Sequence, residues 1–174
     1  YFLCVPGGWV ADKIFGAQRT VLIGAIIITL GHYILALPFE KTFFLGLVFV
    51  SIGTGLLKPN ISTIVGQLYK PGDIMIDAGY TIFYMSINIG SMLGFLVCGY
   101  LGEKVGWHWG FGAAGVGMTF GVLQYIFSKG SLGEAGLEPT LEDGEDSSKY
   151  FSIFSISSAT LFLVVISAYV GLWS

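Results

Sequence analysis

The chain has 174 residues, of which 54% are hydrophobic, 16% aromatic and only 11% charged, and its formal net charge at pH 7 is −3. Soluble domains contain about 25% charged residues, so this composition excludes an ordinary water-soluble globule and predicts a membrane protein. The acidic balance excludes a basic nucleic-acid-binding face, and Cys4 and Cys98 lie in apolar runs that indicate neither a disulfide framework nor a metal site.

The hydrophobic segments, taken in chain order, match the length of membrane-spanning helices. A bilayer core about 30 Å thick takes roughly 20 apolar residues of α-helix. The chain opens in an apolar stretch of about half that length, which predicts a truncated helix ending near Ala11 and a chain that is part of a longer protein. Complete helices are predicted at residues 20–37, 42–69, 79–101, 107–127 and 153–174. The pattern therefore predicts an all-α, polytopic membrane protein.

Residues 128–152 interrupt this pattern with six acidic residues, two lysines, four glycines and one proline. We interpret them as a solvated linker between helix bundles that could include a short surface helix. If the loop at residues 12–19 is cytoplasmic, the inner loops carry five basic residues and the outer loops two. This distribution agrees with the positive-inside rule, so the linker is also predicted to be cytoplasmic.

Lys58 is a basic residue in the middle of an otherwise apolar segment. A lysine at the centre of a membrane helix costs about 3 kcal/mol, so it normally faces a polar cavity or a partner charge. Pro59 cannot donate a backbone hydrogen bond to the Gly55 carbonyl, so we expect the helix to bend or loosen beside the lysine. Transporters place binding sites at such breaks. The alternative is that the helix ends before Lys58, which then marks a loop.

The helix at residues 79–101 is predicted to have two faces. Small residues suited to helix packing recur at every fourth position: Ser86, Gly90, Gly94, Cys98 and Gly102. Tyr84 and Asn88 share a different face. Helical rise puts Asn88 close to the depth of Lys58, where an amide and an ammonium together suit a polar ligand. The alternative for Asn88 is a structural hydrogen bond to a neighbouring helix.

No pattern in the sequence indicates an enzyme or a metal site. All eleven acidic residues lie in loops or at the ends of the predicted helices, which leaves no buried carboxylate for acid–base catalysis. His32 lies within its own predicted helix and is expected to be a structural histidine rather than part of a proton relay.

Three stretches together resemble the proton-dependent oligopeptide transporter (POT/PTR) family of the major facilitator superfamily. GGWVADKIFGAQR (7–19) is similar to the superfamily's loop between helices two and three. GTGLLKPNISTIVGQLY (53–69) is similar to the family's lysine-bearing fourth helix, and FYMSINIG (83–90) to its signature in helix five. The first stretch is widespread in the superfamily, whereas the other two are specific to the family.

The resemblance implies a division of the chain. Residues 1–127 would be part of the N-terminal six-helix bundle of a major facilitator fold, from the end of helix two through helix six. Residues 128–152 would be the cytoplasmic linker, and residues 153–174 an inserted helix or helix seven. The first helix, with its ExxER motif, and the C-terminal bundle would be missing partners, so this part alone is not expected to transport.

The resemblance also implies a function: symport of di- and tripeptides with protons by alternating access in the cell membrane. The proton would be the coupling ion, with no cofactor. Lys58 would take part in peptide carboxylate binding and proton coupling, and Tyr84 and Asn88 would contact the peptide. The loop that stabilises one state of the gate would include Gly8, Asp12 and Arg19.

Three alternatives accompany this interpretation. The same fold could carry nitrate or another small solute. The chain could instead belong to a membrane-embedded enzyme, which the lack of intramembrane His/Asp/Glu clusters disfavours, or to a non-transporting structural subunit, which would tolerate loss of Lys58.

Overall fold

The computed structural model describes residues 2–70, 72–139 and 148–156, which form helices and connecting turns without a β-strand. Helix α1 (Cys4–Val10) continues into a π-helical turn at Ala11–Phe15. Helices α2 (Ala17–Leu35) and α3 (Glu40–Gln67) follow. Helix α4 (Ile76–Gly94) runs through a second π-helical turn (Phe95–Gly99) into α5 (Tyr100–Lys104). Helix α6 (Trp107–Ser128) ends in a 3₁₀ turn (Lys129–Leu132), and residues 148–156 are again helical.

Length and hydropathy make four stretches of the described chain candidate membrane spans: Ala17–Leu35, Glu40–Gln67, Ile76–Lys104 and Trp107–Leu132. They confirm the predicted helices at residues 20–37, 42–69, 79–101 and 107–127 to within a few residues. The predicted helix at residues 153–174 lies outside the described residues beyond residue 156.

Helix α1 ends at Val10, which confirms the predicted end near Ala11, and a π-helical turn continues the backbone beyond it. The Ala11 N–H still bonds to the Gly7 and Gly8 carbonyls, so helical hydrogen bonding continues into the π-helical turn. Gly16 ends it with a φ of 77°, a left-handed conformation that disfavours residues with a side chain, and α2 begins at the next residue. The connection between the two helical elements is therefore a single glycine, and most of the loop expected at residues 12–19 is helical.

Helices α1, α2 and α3 pack with their backbones in close contact. A β-carbon on Gly24 of α2 would lie 2.8 Å from the carbonyl oxygen of Gly53 in α3. On the other side of α3, a β-carbon on Gly7 of α1 would overlap the Gly55 carbonyl oxygen. Small residues permit such close approach between membrane helices, where van der Waals packing replaces the hydrophobic effect as the source of stability. Helix α3 is thereby held on two sides.

Gln18 ties the chain after α6 to the start of α2. Its side chain is 1% exposed, and Nε2 donates hydrogen bonds to the carbonyls of Ala135 (2.7 Å) and Gly133 (3.2 Å). Its backbone N–H donates to the Gly136 carbonyl at 2.8 Å. A β-carbon on Gly136 would lie 2.9 Å from the Ala17 side chain. The first part of the predicted linker therefore contacts the bundle around Gly136, while most of its described residues are exposed or half-buried.

The end of the predicted linker is helical and lies against α1. Residues 148–156 are helical across the boundary predicted at residue 153, and the rest of the segment predicted at residues 153–174 lies outside the described residues. The ring of Tyr150 lies 6.0 Å from that of Trp9, and the Lys13 ammonium lies 5.5 Å from its centroid. Phe15 and Phe151 make a second edge-to-face contact at 6.1 Å. These aromatic contacts hold a short, mostly exposed helix against the bundle at the end of the predicted linker.

Alanine substitution at Gly7 tests the close packing of α1 on α3, with the adjacent Gly8 as its matched control. A β-carbon on Gly8 would have no neighbour within 4 Å, counting the described residues. We expect Gly7→Ala to destabilise the full-length protein by about 1–3 kcal/mol through overpacking. Gly8→Ala should leave stability unchanged or slightly raised, because alanine favours the helix. Thermal unfolding of both variants in detergent measures the difference, and equal midpoints would contradict the packing.

A second pair of substitutions tests the packing of the linker. Gly136→Ala combines overpacking with an unfavourable φ of 71°, so we expect a loss of about 2 kcal/mol or more. Gly130 has no neighbour of this kind within 4 Å among the residues described, and Gly130→Ala should unfold at the wild-type temperature. Cleavage by a protease added to the inner face should also become faster in Gly136→Ala alone. Equal resistance of the linker to the protease in both variants would show that the contact of Gly136 with α2 does not order the linker.

Candidate functional site

Lys58 lies inside α3, which is helical without interruption from Glu40 to Gln67. The alternative in which the helix ends before Lys58 is therefore wrong. The lysine lines a cleft of about 240 Å³ between α1 and α3. The other residues around this cleft are Leu3, Cys4, Val50, Ser51, Thr54 and Gly55.

The chemistry of this Lys58 cleft suits a small anionic or polar group. Besides the lysine ammonium, the lining includes the hydroxyls of Ser51 and Thr54 and the thiol of Cys4. Ligand pockets usually have volumes of about 300–1,000 Å³, so the cleft, at about 240 Å³, is smaller than a typical pocket for a whole ligand. An ammonium with neighbouring hydroxyls is a good arrangement for a carboxylate.

Asn60 is a site residue that sequence reasoning missed. It is 2% exposed, and its Nδ2 donates to the Leu56 carbonyl of its own helix at 2.6 Å and to the Gly7 carbonyl of α1 at 3.1 Å. Its position next to Pro59 and close to Lys58, in an otherwise apolar run, was the signal that could have found it. Asn60 therefore links α3 to α1 at the level of the predicted break.

Tyr80 sets the register between α3 and α4 and was also missed. Its hydroxyl donates to the Ser62 carbonyl at 3.2 Å, and its ring stacks on Tyr84 with centroids 6.4 Å apart. The short connection makes the two helices antiparallel, so Lys58 and Tyr84 each lie one turn further out than this contact. The two residues are therefore at about one level. Asn88 lies another turn, about 6 Å, further out.

This register modifies the expectation that Asn88 lies at the depth of Lys58, since Tyr84 occupies that level. Asn88 Nδ2 donates to the Tyr84 carbonyl at 2.9 Å, so the two residues share one face of α4, as predicted. Neither residue lines the Lys58 cleft. The structure thus pairs Tyr84 with Asn88 and leaves their contact with a ligand as a prediction.

Helix α4 has no buried residue within the described structure, and Tyr84 is 57% exposed. The small-residue face packs only at its outer end. There a β-carbon on Gly110 of α6 would lie 2.7 Å from the Cys98 carbonyl. Further along this face, β-carbons on Gly90 and Gly94 would meet nothing within 4 Å in the described ranges. The predicted packing is therefore present over part of that face.

The predicted gating residues lie around the single-glycine connection between α1 and α2. Gly8 is half-buried in α1, Asp12 is exposed in the π-helical turn, and Arg19 is exposed in the first turns of α2. Arg19 lines a pocket of about 360 Å³ together with Ile14, Phe15, Ser148, Phe151 and Ser152. The 148–156 helix thus covers part of this loop.

The described residues contain no group of three or more His, Cys, Asp or Glu side chains able to hold a metal ion. The Nδ1 of His32 lies 2.9 Å from the Ile28 carbonyl oxygen of its own helix. Such a bond is what a structural histidine makes.

Comparisons with known proteins converge on one group. Residues 18–159 match the sequence profile PTR2, described as the POT family. The chain is 41% identical over 173 residues to a di-/tripeptide transporter of Lactococcus lactis subsp. lactis, covering 98% of this chain and 34% of that protein. It is 49% identical over 126 residues to the peptide transporter YePEPT of Yersinia enterocolitica, covering 71% of this chain and 25% of that protein.

The solved structures that resemble this chain are also transporters of the POT family. A mutant of a peptide transporter POT in complex with alafosfalin superposes with a TM-score of 0.84 at 41% identity, covering 95% of this chain and 35% of the other. A POT family transporter in complex with 5-aminolevulinic acid superposes with a TM-score of 0.83 at 39% identity, covering 97% of this chain and 35% of the other. The chain spans between a quarter and about a third of the length of these proteins.

Proposed function

The chain belongs to the POT family, and from this we propose that it is part of a proton-coupled symporter for di- and tripeptides that works by alternating access. The related proteins named as di-/tripeptide or peptide transporters support the substrate class. The fold agrees with this proposal, since the all-helical chain has four candidate membrane spans and matches POT transporter structures. Residues 1–127 would then be the part of the N-terminal bundle from the end of helix two through helix six.

The observation that carries the proposal is Lys58. It lies within a 28-residue apolar helix and lines a cleft with two hydroxyl groups. A lysine at this depth costs about 3 kcal/mol, a penalty that a wet cavity and an anionic ligand relieve. The C-terminal carboxylate is the one anionic group shared by all unmodified di- and tripeptides, so an ammonium there can bind them irrespective of their side chains.

Lys58 also suits coupling to protons. A lysine amine exchanges a proton, and its charge depends on the groups beside it. A bound peptide carboxylate favours the protonated amine, so binding of the peptide and binding of a proton can be linked at one atom. The proton is the only coupling ion that the proposal needs, and it involves no further cofactor.

Tyr84 and Asn88 would contact the peptide from α4. They offer a phenol and an amide on one face, and the Tyr80–Ser62 contact sets that helix against α3. The peptide would lie between the two helices, with its carboxylate toward Lys58. Contacts from the rest of the protein, which the chain does not span, would complete the site.

Gly8, Asp12 and Arg19 would form the latch at the inner end of the bundle. Their loop is short and held at both sides, by α1 packing on α3 and by Gln18 binding the chain after α6. The basic-residue distribution supports a cytoplasmic position for this loop and for the linker at residues 128–152, in a protein of the cell membrane.

The test is uptake of a labelled dipeptide by the full-length protein in liposomes with an inward proton gradient. Lys58→Ala should lower uptake about tenfold or more, because a charged hydrogen bond contributes about 1.5–3 kcal/mol. Asn88→Ala should lower it several-fold. A protonophore should abolish accumulation in the wild type.

Lys104→Ala is the matched control, since Lys104 is an exposed lysine in the last turn of α5. It should transport like the wild type. Wild-type uptake by both Lys58→Ala and Asn88→Ala would rule out the site, and accumulation that survives the protonophore would rule out proton coupling.

A further inference from the structure

Asn60 is one of three buried polar side chains in the part of the chain that the structure describes. The other two, Gln18 and Thr20, lie at the inner end of α2, where Gln18 binds the chain after α6 and Thr20 bonds to the Gly16 carbonyl. Asn60 is the one within α3, and its amide reaches another helix. A buried amide in a membrane helix therefore lies two residues from the proposed ligand-binding lysine.

We propose that Asn60 is the positioning residue for Lys58: its amide fixes the proline-interrupted turn of α3 to α1, so that the lysine faces the cleft between these helices. The proposal rests on the function assigned to Lys58 above. Asn60 itself would not touch the substrate.

The need for such a residue comes from Pro59. Proline lacks the N–H that would bond to the Gly55 carbonyl, and its ring crowds that turn, so α3 is locally weaker there. Asn60 Nδ2 donates to the Leu56 carbonyl at 2.6 Å, which adds a side-chain hydrogen bond to the weakened turn. Lys58 lies within the stretch that this bond spans.

The contact with α1 fixes the same stretch from outside. Asn60 Nδ2 donates to the Gly7 carbonyl at 3.1 Å, and the backbone of Gly7 abuts the Gly55 carbonyl about one turn away along α3. The contacts of Gly7 with Asn60 and with Gly55, which lie on opposite sides of Lys58 along α3, thus define the distance between α1 and α3. These helices are the walls of the cleft that the lysine lines.

Only a short primary amide meets these requirements. It has two N–H donors for two carbonyls, whereas leucine of similar size has none and an ionised aspartate has none. Serine offers one donor and a shorter reach. A glutamine keeps both donors, so it is the conservative replacement that should recover part of the function.

The first experiment compares transport kinetics in the full-length protein. Asn60→Leu should raise the KM for a labelled dipeptide about tenfold and lower the maximal rate less than about threefold, because binding geometry rather than the transport cycle is affected. Asn60→Gln should recover at least half of this loss. A loss confined to the maximal rate, or none at all, would overturn the proposal.

Thr63→Val is the matched control in the same helix. The Thr63 hydroxyl donates to the Pro59 carbonyl at 3.2 Å and is exposed, so this variant removes a hydrogen bond at the same break without removing a contact to α1. Its KM should equal that of the wild type. A KM raised equally in both variants would show a general weakening of α3 and overturn the positioning role.

The second experiment does not depend on transport. Lys58→Cys is labelled with a membrane-impermeant maleimide, in full-length protein in which Cys4, Cys98 and every other cysteine are serine. Adding Asn60→Leu should raise the labelling rate about tenfold, since α1 can then move away from α3, while Thr63→Val should leave it unchanged. Equal rates in all three would overturn the proposal, whereas wild-type uptake by Lys58→Ala would overturn the proposed function alone.

Discussion

The close approach of backbones at glycines of α3 is the constraint on which the rest of the structure depends. Gly53 contacts α2 and Gly55 contacts α1, so the helix that carries Lys58 is fixed on two sides. In a membrane the hydrophobic effect does not drive helices together, and packing of this kind must do so. A polar group such as Asn60 then becomes tolerable, because a carbonyl of the neighbouring helix lies within reach.

The sequence predicted the fold well wherever hydrophobic length decides the outcome. The four spans begin and end within a few residues of their predicted positions, because a bilayer requires helices of that length. The segments outside the bilayer also depend on contacts that hydrophobic length does not reveal. Gln18 and Tyr150 order parts of the linker through contacts with residues more than a hundred positions distant in sequence, which composition alone does not reveal.

The candidate site likewise contains one residue that the sequence identified and two that it missed. Lys58 was identifiable because a charge in an apolar segment is costly, and the structure puts it in a cleft. Asn60 and Tyr80 were missed because their importance lies in what they contact, Gly7 and Ser62, rather than in any periodicity. Helical rise estimates the depth of Asn88 from the end of its segment, whereas the register between α3 and α4 depends on the contact of Tyr80 with Ser62.

Within the described residues, the two helices of the proposed site differ in how they are packed. Helix α3 is fixed against α1 and α2 by backbone contacts and the Asn60 amide. Helix α4 has no buried residue in the described structure and meets α3 through the tyrosines near its inner end. A lysine on the fixed wall keeps the charge at one depth. Tyr84 and Asn88 on α4 then belong to the side of the proposed site that the described chain leaves exposed, and contacts from the rest of the protein would have to complete that side.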